Sequence, residues 1–309
     1  MAKPLPNPSP KHPRRKPKAA DPLAFRQNNP LLVQARKVLA RKRFSQNFLV
    51  HPAMHEGIVA CLELKPTDHV VEIGPGLGFL TQHLLPHAGH VTGVELEWGM
   101  IDHLERRFAD QPNFTLIQGD FLAYPLEQLE APTFKVVGNI PYNITSSVLF
   151  KLVGELADTT HPLRNRLQHV TLLVQKEVAE RISAKPGCKA YGPLSIAVQF
   201  WFEPWLEFTV PAIAFEPMPK VESAVISLVP RPQPHANVQN LSLLSQLVRG
   251  VFTQRRKTLR NTLPTAMGIT QEQALAALAE AGIDPMARPE VLTVAQFGVL
   301  ADVLHRLPR

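Results

Sequence analysis

Residues 70–85 read VVEIGPGLGFLTQHLL, an apolar run that passes through closely spaced glycines into a helical pattern. The run 70–73 predicts a buried strand, and the stretch after the glycines predicts a helix. Gly74, Gly76 and Gly78 let the backbone approach a ligand closely at the carboxyl end of a parallel sheet. The spacing is not that of a dinucleotide fingerprint, and no Gly-Lys-Ser/Thr follows, which excludes a P-loop. A tight turn alone also needs glycine, but the density of glycines favours ligand binding.

Alternating strand and helix patterns continue beyond this stretch. Further strands are predicted at 91–95, 114–118, 134–138 and 169–174. One helix is predicted after the strand 91–95, and two more are predicted at 145–156, with Thr145 as N-cap, and at 176–183. Such alternation predicts βαβ units and a mostly parallel sheet that helices cover on both faces. The fold class is therefore α/β, with a Rossmann-like sheet.

The C-terminal part has a different pattern. Residues 222–229 (ESAVISLV) alternate at period two, as in a hairpin or an edge strand. Prolines at 230, 232 and 234 then indicate a linker, and from about residue 239 the pattern is helical without strands. We therefore expect one domain at 39–234 and a small C-terminal all-helical domain at 235–309.

The first 38 residues are set apart by their composition. They contain eight prolines, and residues 1–43 hold twelve Lys and Arg against the single acid Asp21. Residues 44–309 hold 21 basic and 25 acidic residues. A basic, proline-rich segment cannot bury a core, so residues 1–38 are predicted to form a disordered tail. Such a tail on a mildly acidic body indicates a polyanionic partner.

The bulk composition excludes several classes of protein. No apolar run approaches the roughly 18 residues of a membrane helix, and the N-terminus lacks the apolar segment of a signal peptide. Cys61 and Cys188 have no C-x-x-C partner, which argues against a zinc site or a disulfide framework. The histidines at 51, 55, 83, 87 and 90 are predicted to be surface residues rather than metal ligands. We expect a cytoplasmic protein without a metal.

Three acidic residues are predicted at the carboxyl edge of the sheet. Glu72 lies in the first strand, Glu95 ends the second and Asp120 follows the third. An acid at the position of Glu95 can accept hydrogen bonds from the ribose hydroxyls of a nucleoside ligand. Carboxylates repel a pyrophosphate but attract the sulfonium cation of S-adenosylmethionine. The pattern therefore favours this methyl donor over NAD.

The stretch FKVVGNIPYNITSSVLF (residues 134–150) adds an amide and an aromatic ring at the same edge. The side-chain oxygen of Asn139 and the carbonyl of Ile140 can each accept a hydrogen bond from an adenine amine, which directs the lone pair of its nitrogen at a methyl group. Pro141 makes the turn rigid, and Tyr142 offers a face on which a base can stack. A simple turn with a packed Tyr explains the stretch alone but not its position beside an acidic pocket.

These and further motifs, in order along the chain, resemble those of the ribosomal RNA adenine N6-methyltransferase family, specifically its bacterial small-subunit dimethyltransferases. The resemblance covers about residue 41 to the C-terminus and rests on RFSQNFLV, VEIGPGLGFLT, GVELE, GDFL, GNIPYNITSSVLFKL, LLVQKEVAERI, KAYGPLSIAVQF, AFEPMPKVESAVISLVP, FTQRRKTLRNTL and GIDPMARPEVLTVAQF. Ser45 stands where the family usually has Gly, and the tail before residue 38 is not part of the pattern.

The resemblance implies roles for individual residues. The residues implied to bind the methyl donor are Asn47, Leu49, Gly74, Glu95, Asp120 and Asn139. Glu95 would hold the ribose and Asp120 the adenine amino group. The catalytic turn would consist of Asn139, Ile140, Pro141 and Tyr142. Gln46 would lie near the target base, and Phe215 would offer a second stacking face, although a core Phe beside a proline turn fits the sequence equally well.

A basic cluster in the C-terminal region is expected to contact RNA. TQRRKTLRN (residues 253–261) places Arg255, Arg256, Lys257 and Arg260 on a predicted helix near Arg249. A run of charges is often only a solvated helix face, but in a slightly acidic body it favours contact with an RNA backbone.

The implied activity is transfer of methyl groups from S-adenosylmethionine to N6 of two adjacent adenosines in a hairpin loop near the 3′ end of small-subunit (16S) rRNA. We expect a monomer that acts on the small subunit or its precursor and contributes to its biogenesis. The alternatives are an RNA-binding assembly factor in which methylation is secondary, a large-subunit rRNA methyltransferase and an NAD-dependent oxidoreductase. QRRKTLRN and GIDPMARPE favour the small-subunit enzyme, and the missing G-x-G-x-x-G counts against the oxidoreductase.

Overall fold

A seven-stranded sheet forms the centre of the protein in the computed structural model, which describes residues 24–26, 29–39 and 47–307. Strands within these residues are β1 (Phe48–Leu49), β2 (His69–Ile73), β3 (His90–Glu95), β4 (Phe114–Gln118), β5 (Phe134–Asn139), β6 (Leu167–Gln175), β7 (Phe202–Val210), β8 (Phe215–Glu216) and β9 (Ser223–Pro230). The sheet order is β4-β3-β2-β5-β6-β9-β7; the first five strands are parallel to one another, and β9 is antiparallel to both of its neighbours, β6 and β7. β1 and β8 form a separate antiparallel pair.

Helices alternate with the parallel strands and then follow them without further strands. The α-helices of the described residues are α1 (Pro30–Leu39), α2 (Pro52–Cys61), α3 (Thr81–Leu84), α4 (Trp98–Arg107), α5 (Thr145–Val153), α6 (Lys176–Ile182), α7 (Pro193–Trp201), α8 (Leu241–Phe252), α9 (Leu259–Met267), α10 (Gln271–Glu280) and α11 (Val294–Arg306). The predicted α/β class with a helical C-terminal region is confirmed. In the part of the chain described here, no helix combines the length and apolar character needed to cross a membrane.

The order of the parallel strands reverses between β2 and β5. From β2 the chain moves outward to β3 and β4, and then returns to the other side of β2 to form β5 and β6. β2 and β5 pair directly, with Ile73 opposite Gly138. Open α/β sheets bind ligands beyond the carboxyl ends of their strands at such a reversal. A ligand site is therefore expected where β2 and β5 end.

Two local predictions need correction. Of the two alternatives for residues 222–229, the edge strand is wrong, because β9 pairs with β6 on one side and with β7 on the other; its antiparallel pairing with β7 agrees with the hairpin. The edge of the sheet on this side is β7, and an edge strand can contain a proline such as Pro204. Thr145 is not an N-cap: it is the first residue of α5 after a 3-10 helix at Tyr142–Ile144, and its hydroxyl donates to the Pro141 carbonyl.

Two buried apolar clusters hold the helices on the sheet. One joins β5, β6 and β9 with α5, α6, α7 and the four C-terminal helices, so that Val136, Leu172, Leu247 and Phe297 belong to one continuous core. The other joins the opposite side of the sheet with α1–α4, β1 and β8. The C-terminal helices therefore share a core with the sheet, and the predicted boundary between residues 234 and 235 stays a prediction.

Helix α1 corrects the prediction that the whole segment 1–38 is a disordered tail. Leu31, Leu32 and Ala35 form a buried stripe on α1 and belong to the second cluster. This spacing is that of one helix face, but the surrounding charges and prolines dominated the composition of the segment. Residues 1–23, 27 and 28 of the predicted tail lie outside the described residues.

Candidate active site

A cavity of about 460 Å³ lies at the carboxyl ends of β2 and β5. Pockets that enclose small ligands typically have volumes of a few hundred Å³. Its walls are the start of β1, the glycine loop after β2, the turn after β5 and the start of β8. Of the predicted site residues, the cavity brings together Asn47, Leu49, Gly74, Asn139, Ile140, Pro141, Tyr142 and Phe215.

The glycine loop forms the wall beside β2. Gly74, Gly76 and Gly78 all have positive φ angles, of 60°, 58° and 71°, in the region that L side chains disfavour. A Cβ at Gly74 would meet no atom within 4 Å, so the missing side chain leaves open space for a ligand. The Gly74 N–H donates to the Val94 carbonyl at 2.9 Å, which ties the loop to β3.

The turn after β5 holds an amide in a defined orientation. Asn139 Nδ2 donates to the Asn47 backbone carbonyl at 3.0 Å. Because the nitrogen is used in this way, Oδ1 remains as the acceptor for an incoming N–H donor. The Ile140 N–H donates to the Leu173 carbonyl at 3.0 Å, and Pro141 has φ −55°. The turn is therefore anchored to the sheet and constrained by its proline.

Two of the aromatic rings that line the cavity, those of Tyr142 and Phe215, are predicted site residues. Tyr142 is half-buried, and its hydroxyl lies 2.8 Å from Ser223 Oγ, which fixes the ring on β9. Phe215 is only 1% exposed and lies opposite Leu49 in the β1–β8 pair. Phe215 is thus a core residue that also reaches the cavity wall, and each of the two sequence interpretations describes part of its position.

His55 is a cavity residue that the sequence interpretation missed. Its ring is 2% exposed, Nε2 lies 3.0 Å from the Leu49 carbonyl and Nδ1 is buried without a hydrogen-bond partner among the described residues. It stacks on His83 at 5.6 Å between ring centroids. Burial, followed by the charges of His83 and His51, lowers the pKa of His55 to about 3. The ring is neutral at physiological pH, and the prediction of surface histidines is wrong for His55 and for His51, which is also buried.

Glu72 is the one predicted acid that lines the cavity. The Thr81 hydroxyl donates to Glu72 Oε2 at 2.6 Å. Burial raises the pKa of Glu72 to about 8, with the Thr81 bond opposing the rise and the charge of Glu95 adding to it. A cation in the cavity would favour the ionised carboxylate, so this wall suits a positively charged ligand.

Glu95 lies behind the glycine loop rather than in the cavity wall. Its carboxylate is almost fully buried, with the whole residue 1% exposed. Oε2 accepts the Gly76 N–H and Oε1 accepts the Glu97 N–H, both at 2.9 Å. Burial raises the pKa of Glu95, and these backbone donors oppose the rise. The Glu95 carboxylate therefore stabilises the conformation of the glycine loop through the Gly76 N–H.

Asp120 lies at the same sheet edge but outside the cavity. It is exposed, and its Oδ1 accepts the Leu122 N–H at 2.8 Å. The preceding Gly119 N–H donates to the Glu95 carbonyl at 2.8 Å, which places the two acidic residues on neighbouring loops. Gln46 lies outside the described residues. Within those residues, no three His, Cys, Asp or Glu side chains are grouped so that they could hold a metal ion.

The predicted RNA-contacting residues lie on the surface of the C-terminal helices, far in sequence from the cavity. The prediction that these four residues of the 253–261 stretch lie on a helix is wrong for three of them: α8 ends at Phe252, and Arg255, Arg256 and Lys257 occupy the turn before α9. Arg260 lies on α9 itself. The exposed positions are those of Arg249, Arg255, Arg256, Lys257 and Arg260.

Two of these arginines also have protein partners. Arg255 donates to the Lys189 and Tyr191 carbonyls at 2.8 Å, which fixes the turn on the loop between α6 and α7. Arg249 pairs with Glu155 at 2.9 Å, with both side chains more than 60% exposed. Such an exposed pair contributes little stability, so Arg249 is free to exchange partners.

The strand reversal, the glycine loop after β2 and the Asn-Ile-Pro-Tyr turn after β5 together define a Rossmann-like methyltransferase. The sequence model of the family described as ribosomal RNA adenine dimethylase matches residues 38–305. The chain belongs to this family.

Individual relatives agree with the family. Ribosomal RNA small subunit methyltransferase A of Synechococcus sp. (strain JA-3-3Ab) is 45% identical over 275 residues, covering 87% of this chain and 95% of the relative. Its counterpart from Acinetobacter baylyi is 44% identical, covering 85% and 92%. A solved dimethyladenosine transferase from Plasmodium falciparum has TM-score 0.68 and 26% identity, covering 81% and 94%. The solved 23S rRNA methyltransferase ErmE has TM-score 0.67 and 26% identity, covering 84% and 100%.

Proposed function

We propose that the protein transfers methyl groups from S-adenosylmethionine to N6 of two adjacent adenosines in a hairpin loop near the 3′ end of small-subunit (16S) rRNA. The products are N6,N6-dimethyladenosines. The observation that carries the proposal is the orientation of Asn139, whose Nδ2 is held by the Asn47 carbonyl so that Oδ1 is left to accept from an amine. Relatives at 38–45% identity named ribosomal RNA small subunit methyltransferase A support the choice of RNA.

The chain's own residues fit a methyl donor of this size and charge. The open space at Gly74 admits a ligand beside the backbone, and Asn47 and Leu49 supply the facing wall. Glu72 adds a carboxyl group that ionises more readily beside a cation. When bound, S-adenosylmethionine supplies an electrophilic methyl group.

The two remaining acids complete the proposed donor site. Each carboxylate oxygen of Glu95 accepts one backbone N–H and keeps a second lone pair, which we assign to the ribose hydroxyls. Asp120, exposed on the adjacent loop, is assigned to the amino group of the donor's adenine.

Asn139 and Ile140 act on the nucleophile. An adenine amine is a poor nucleophile because its lone pair is delocalised into the ring. Asn139 Oδ1 accepts a hydrogen bond from one N–H group of the amine, and the Ile140 carbonyl accepts one from the other. These two hydrogen bonds localise the lone pair on the nitrogen. Both acceptors are fixed before the substrate arrives, by the Asn47 carbonyl and by the Ile140 N–H bond to Leu173. Such preorganised groups lower the barrier because they need no reorganisation during the reaction.

Tyr142 and Phe215 hold the target base. A base must leave its stack to reach the cavity, and aromatic faces compensate the lost stacking. The Tyr142 ring is fixed by the 2.8 Å contact with Ser223. Phe215, which pairs with Leu49, lines the same cavity. Gln46, which immediately precedes the cavity residue Asn47, is assigned to the same base.

The exposed basic residues of the C-terminal region, on α8, on α9 and in the turn between them, supply contacts to the RNA backbone. These residues are Arg249, Arg255, Arg256, Lys257 and Arg260. Phosphate contacts fix register without reading sequence, so we assign positioning of the hairpin to this surface and base selection to the cavity. We further propose that the protein acts in the cytoplasm as a monomer, without a metal, and contributes to small-subunit biogenesis.

Reaction with separated ribosomal subunits tests this proposal. Small subunits that lack the modification and large subunits are each incubated with the protein and labelled S-adenosylmethionine, and the rRNA is digested for mass spectrometry. We expect label only in small-subunit rRNA, as dimethyladenosine at two adjacent positions. Label only in large-subunit rRNA would support the alternative that the similarity to ErmE raises. Tight binding without label would support an assembly factor.

A further inference from the structure

The β1–β8 pair, which forms one wall of the cavity, is held from outside by residues that precede the family match. That match begins at residue 38. Arg26 Nη1 donates to the Ile213 carbonyl at 2.5 Å and to the Phe215 carbonyl at 3.3 Å, and Nη2 pairs with the Glu216 carboxylate. One guanidinium thus binds three groups along β8 and the residues just before it.

A second set of contacts holds β1. Asn29 is buried, and its Nδ2 donates to the Val50 carbonyl at 2.7 Å while its Oδ1 accepts the Leu31 N–H at 3.0 Å. The Asn29 side chain therefore links the residue just after β1 to the start of α1. Leu31, Leu32 and Ala35 of α1 pack in the same apolar cluster as Phe215. Arg26, Asn29 and the buried face of α1 (Leu31, Leu32 and Ala35) together form what we call the N-terminal clamp.

The clamp is connected to the catalytic amide by hydrogen bonds. The Val50 N–H donates to the Ala214 carbonyl at 2.8 Å, and Leu49 pairs with Phe215. Asn47 precedes β1, and its carbonyl accepts from Asn139. A shift of β8 relative to the seven-stranded sheet would therefore move the group that orients Asn139.

The two arginines that contact Glu216 differ in how far they are exposed to solvent. The Arg26 and Glu216 side chains are 16% and 18% exposed, whereas Arg36, 3.3 Å from the same carboxylate, is 61% exposed. An exposed pair is screened by solvent and contributes little. Arg26 has carbonyl partners as well, which a planar fork of five donors can serve and a lysine cannot. Arg26 therefore carries the contact, and Arg36 is a natural control.

We propose that Arg26 is a positioning residue for methyl transfer: it fixes β8, and through β8 and β1 it holds the Asn47 carbonyl that orients the Asn139 amide. This inference rests on the proposed catalytic role of Asn139. Arg26 touches neither donor nor target base. It lies in a segment whose composition predicts only a disordered tail.

The test uses full-length protein with Arg26→Ala, Arg26→Lys and the matched control Arg36→Ala. The rate of methyl transfer to small-subunit rRNA is measured under single-turnover conditions and is expressed per donor-binding site. RNA affinity and thermal stability are measured as well. We expect Arg26→Ala to lower the rate about 10- to 100-fold, the scale for a misplacement of about 1 Å, with RNA affinity retained. Arg26→Lys should restore only part of the rate, and Arg36→Ala should stay near the wild-type rate. A wild-type rate per site in Arg26→Ala, even with lower thermal stability, would overturn the proposal.

Hydrogen exchange distinguishes failure of this inference from failure of the proposed function, because it needs no RNA. The Val50 N–H donates to the residue just before β8. Its rate of hydrogen exchange should rise in Arg26→Ala and should equal the wild-type rate in Arg36→Ala. If wild-type protein methylates no rRNA but this exchange result holds, only the proposed function fails. If exchange at Val50 is unaffected, the clamp is refuted whatever the activity. Should Arg26→Ala not fold, Arg26→Lys carries both measurements, and wild-type values in it would refute the proposal.

Discussion

Asn139 Nδ2 lies 3.0 Å from the backbone carbonyl oxygen of Asn47, a contact between residues 92 positions apart in the chain. The bond joins the end of β5 to the segment before β1, which are separate walls of one cavity. It also decides which atom of the amide is available to a substrate. The orientation of the proposed catalytic amide is therefore a tertiary property that depends on how the β1–β8 pair is held.

Replacement of Glu95 tests the donor site. Glu95→Ala removes the acceptor of the Gly76 and Glu97 N–H groups together with the proposed ribose contact, so donor binding should weaken by about 1.5–3 kcal/mol. Glu95→Gln keeps one acceptor oxygen, so its donor affinity should lie between those of wild type and Glu95→Ala. Glu97→Ala is the matched control, because it removes a nearby acid and leaves its backbone N–H in place. Calorimetry measures the affinity, and an unchanged value in Glu95→Ala would exclude the donor-binding role.

Glu72 should make stability depend on pH. Burial raises its pKa in the folded protein to about 8 from the ordinary value of 4.5. Between these values the folded protein keeps a proton that the unfolded chain releases. The free energy of unfolding is therefore highest below about pH 4.5, where Glu72 is protonated in both states, and falls as the pH rises towards 8. Glu72→Gln cannot ionise, so its stability relative to wild type should increase across this window, by at most about 1.4 kcal/mol for each increase of one in pH. Parallel denaturation curves at pH 5 and pH 8 that show a constant difference would contradict this.

Tyr142 should act through its ring and not its hydroxyl. Tyr142→Phe loses only the contact with Ser223 and should keep most activity. Tyr142→Ala loses the stacking face, worth about 1–3 kcal/mol per base, and should lose activity on RNA while donor affinity remains. Initial rates over a range of RNA concentrations measure both variants. Equal activity of the Ala and Phe variants would show that no base stacks there.

The basic residues before the clamp should add affinity for RNA without affecting the methylated positions. The deletion is placed at residues 1–23, because Arg26, Asn29 and α1 pack on the protein. This segment contains six Lys and Arg, and each duplex phosphate neutralised adds about −0.9 to the slope of log K against log salt. Its removal should flatten the slope by up to about 5, as should replacement of the six by Gln in the full-length chain. Titrations at several salt concentrations that give identical slopes would leave the segment without a role in RNA binding.

The parallel sheet could be predicted from the sequence because its strands are local apolar runs. The predicted strands at 114–118 and 134–138 agree with β4 and β5 to within one residue. The loop after β2 could also be predicted, since its positive φ angles need glycine. The turn at Asn139 has an equally local pattern, because an amide, a proline and an aromatic follow a strand directly.

The cavity wall opposite that turn could not be predicted. β1 and β8 are two residues long and pair across more than 160 positions, so no periodic pattern marks them. The burial of His55 and the ordered helix α1 likewise depend on partners distant in sequence. The three acids do lie at or beside the carboxyl ends of the neighbouring strands β2, β3 and β4. Only Glu72 reaches the cavity, because the carboxylate of Glu95 binds backbone N–H groups and that of Asp120 binds an N–H of its own loop.

The central claim is that Asn139 promotes transfer of a methyl group to an adenine amine. Its most direct test is single-turnover methylation of small-subunit rRNA by wild type and by Asn139→Ala, with donor and RNA affinities measured on the same preparations. We predict retained affinities and a rate lower by on the order of 100-fold, the scale for loss of one preorganised hydrogen-bonding group. A near-wild-type rate in Asn139→Ala with both ligands bound would contradict the account.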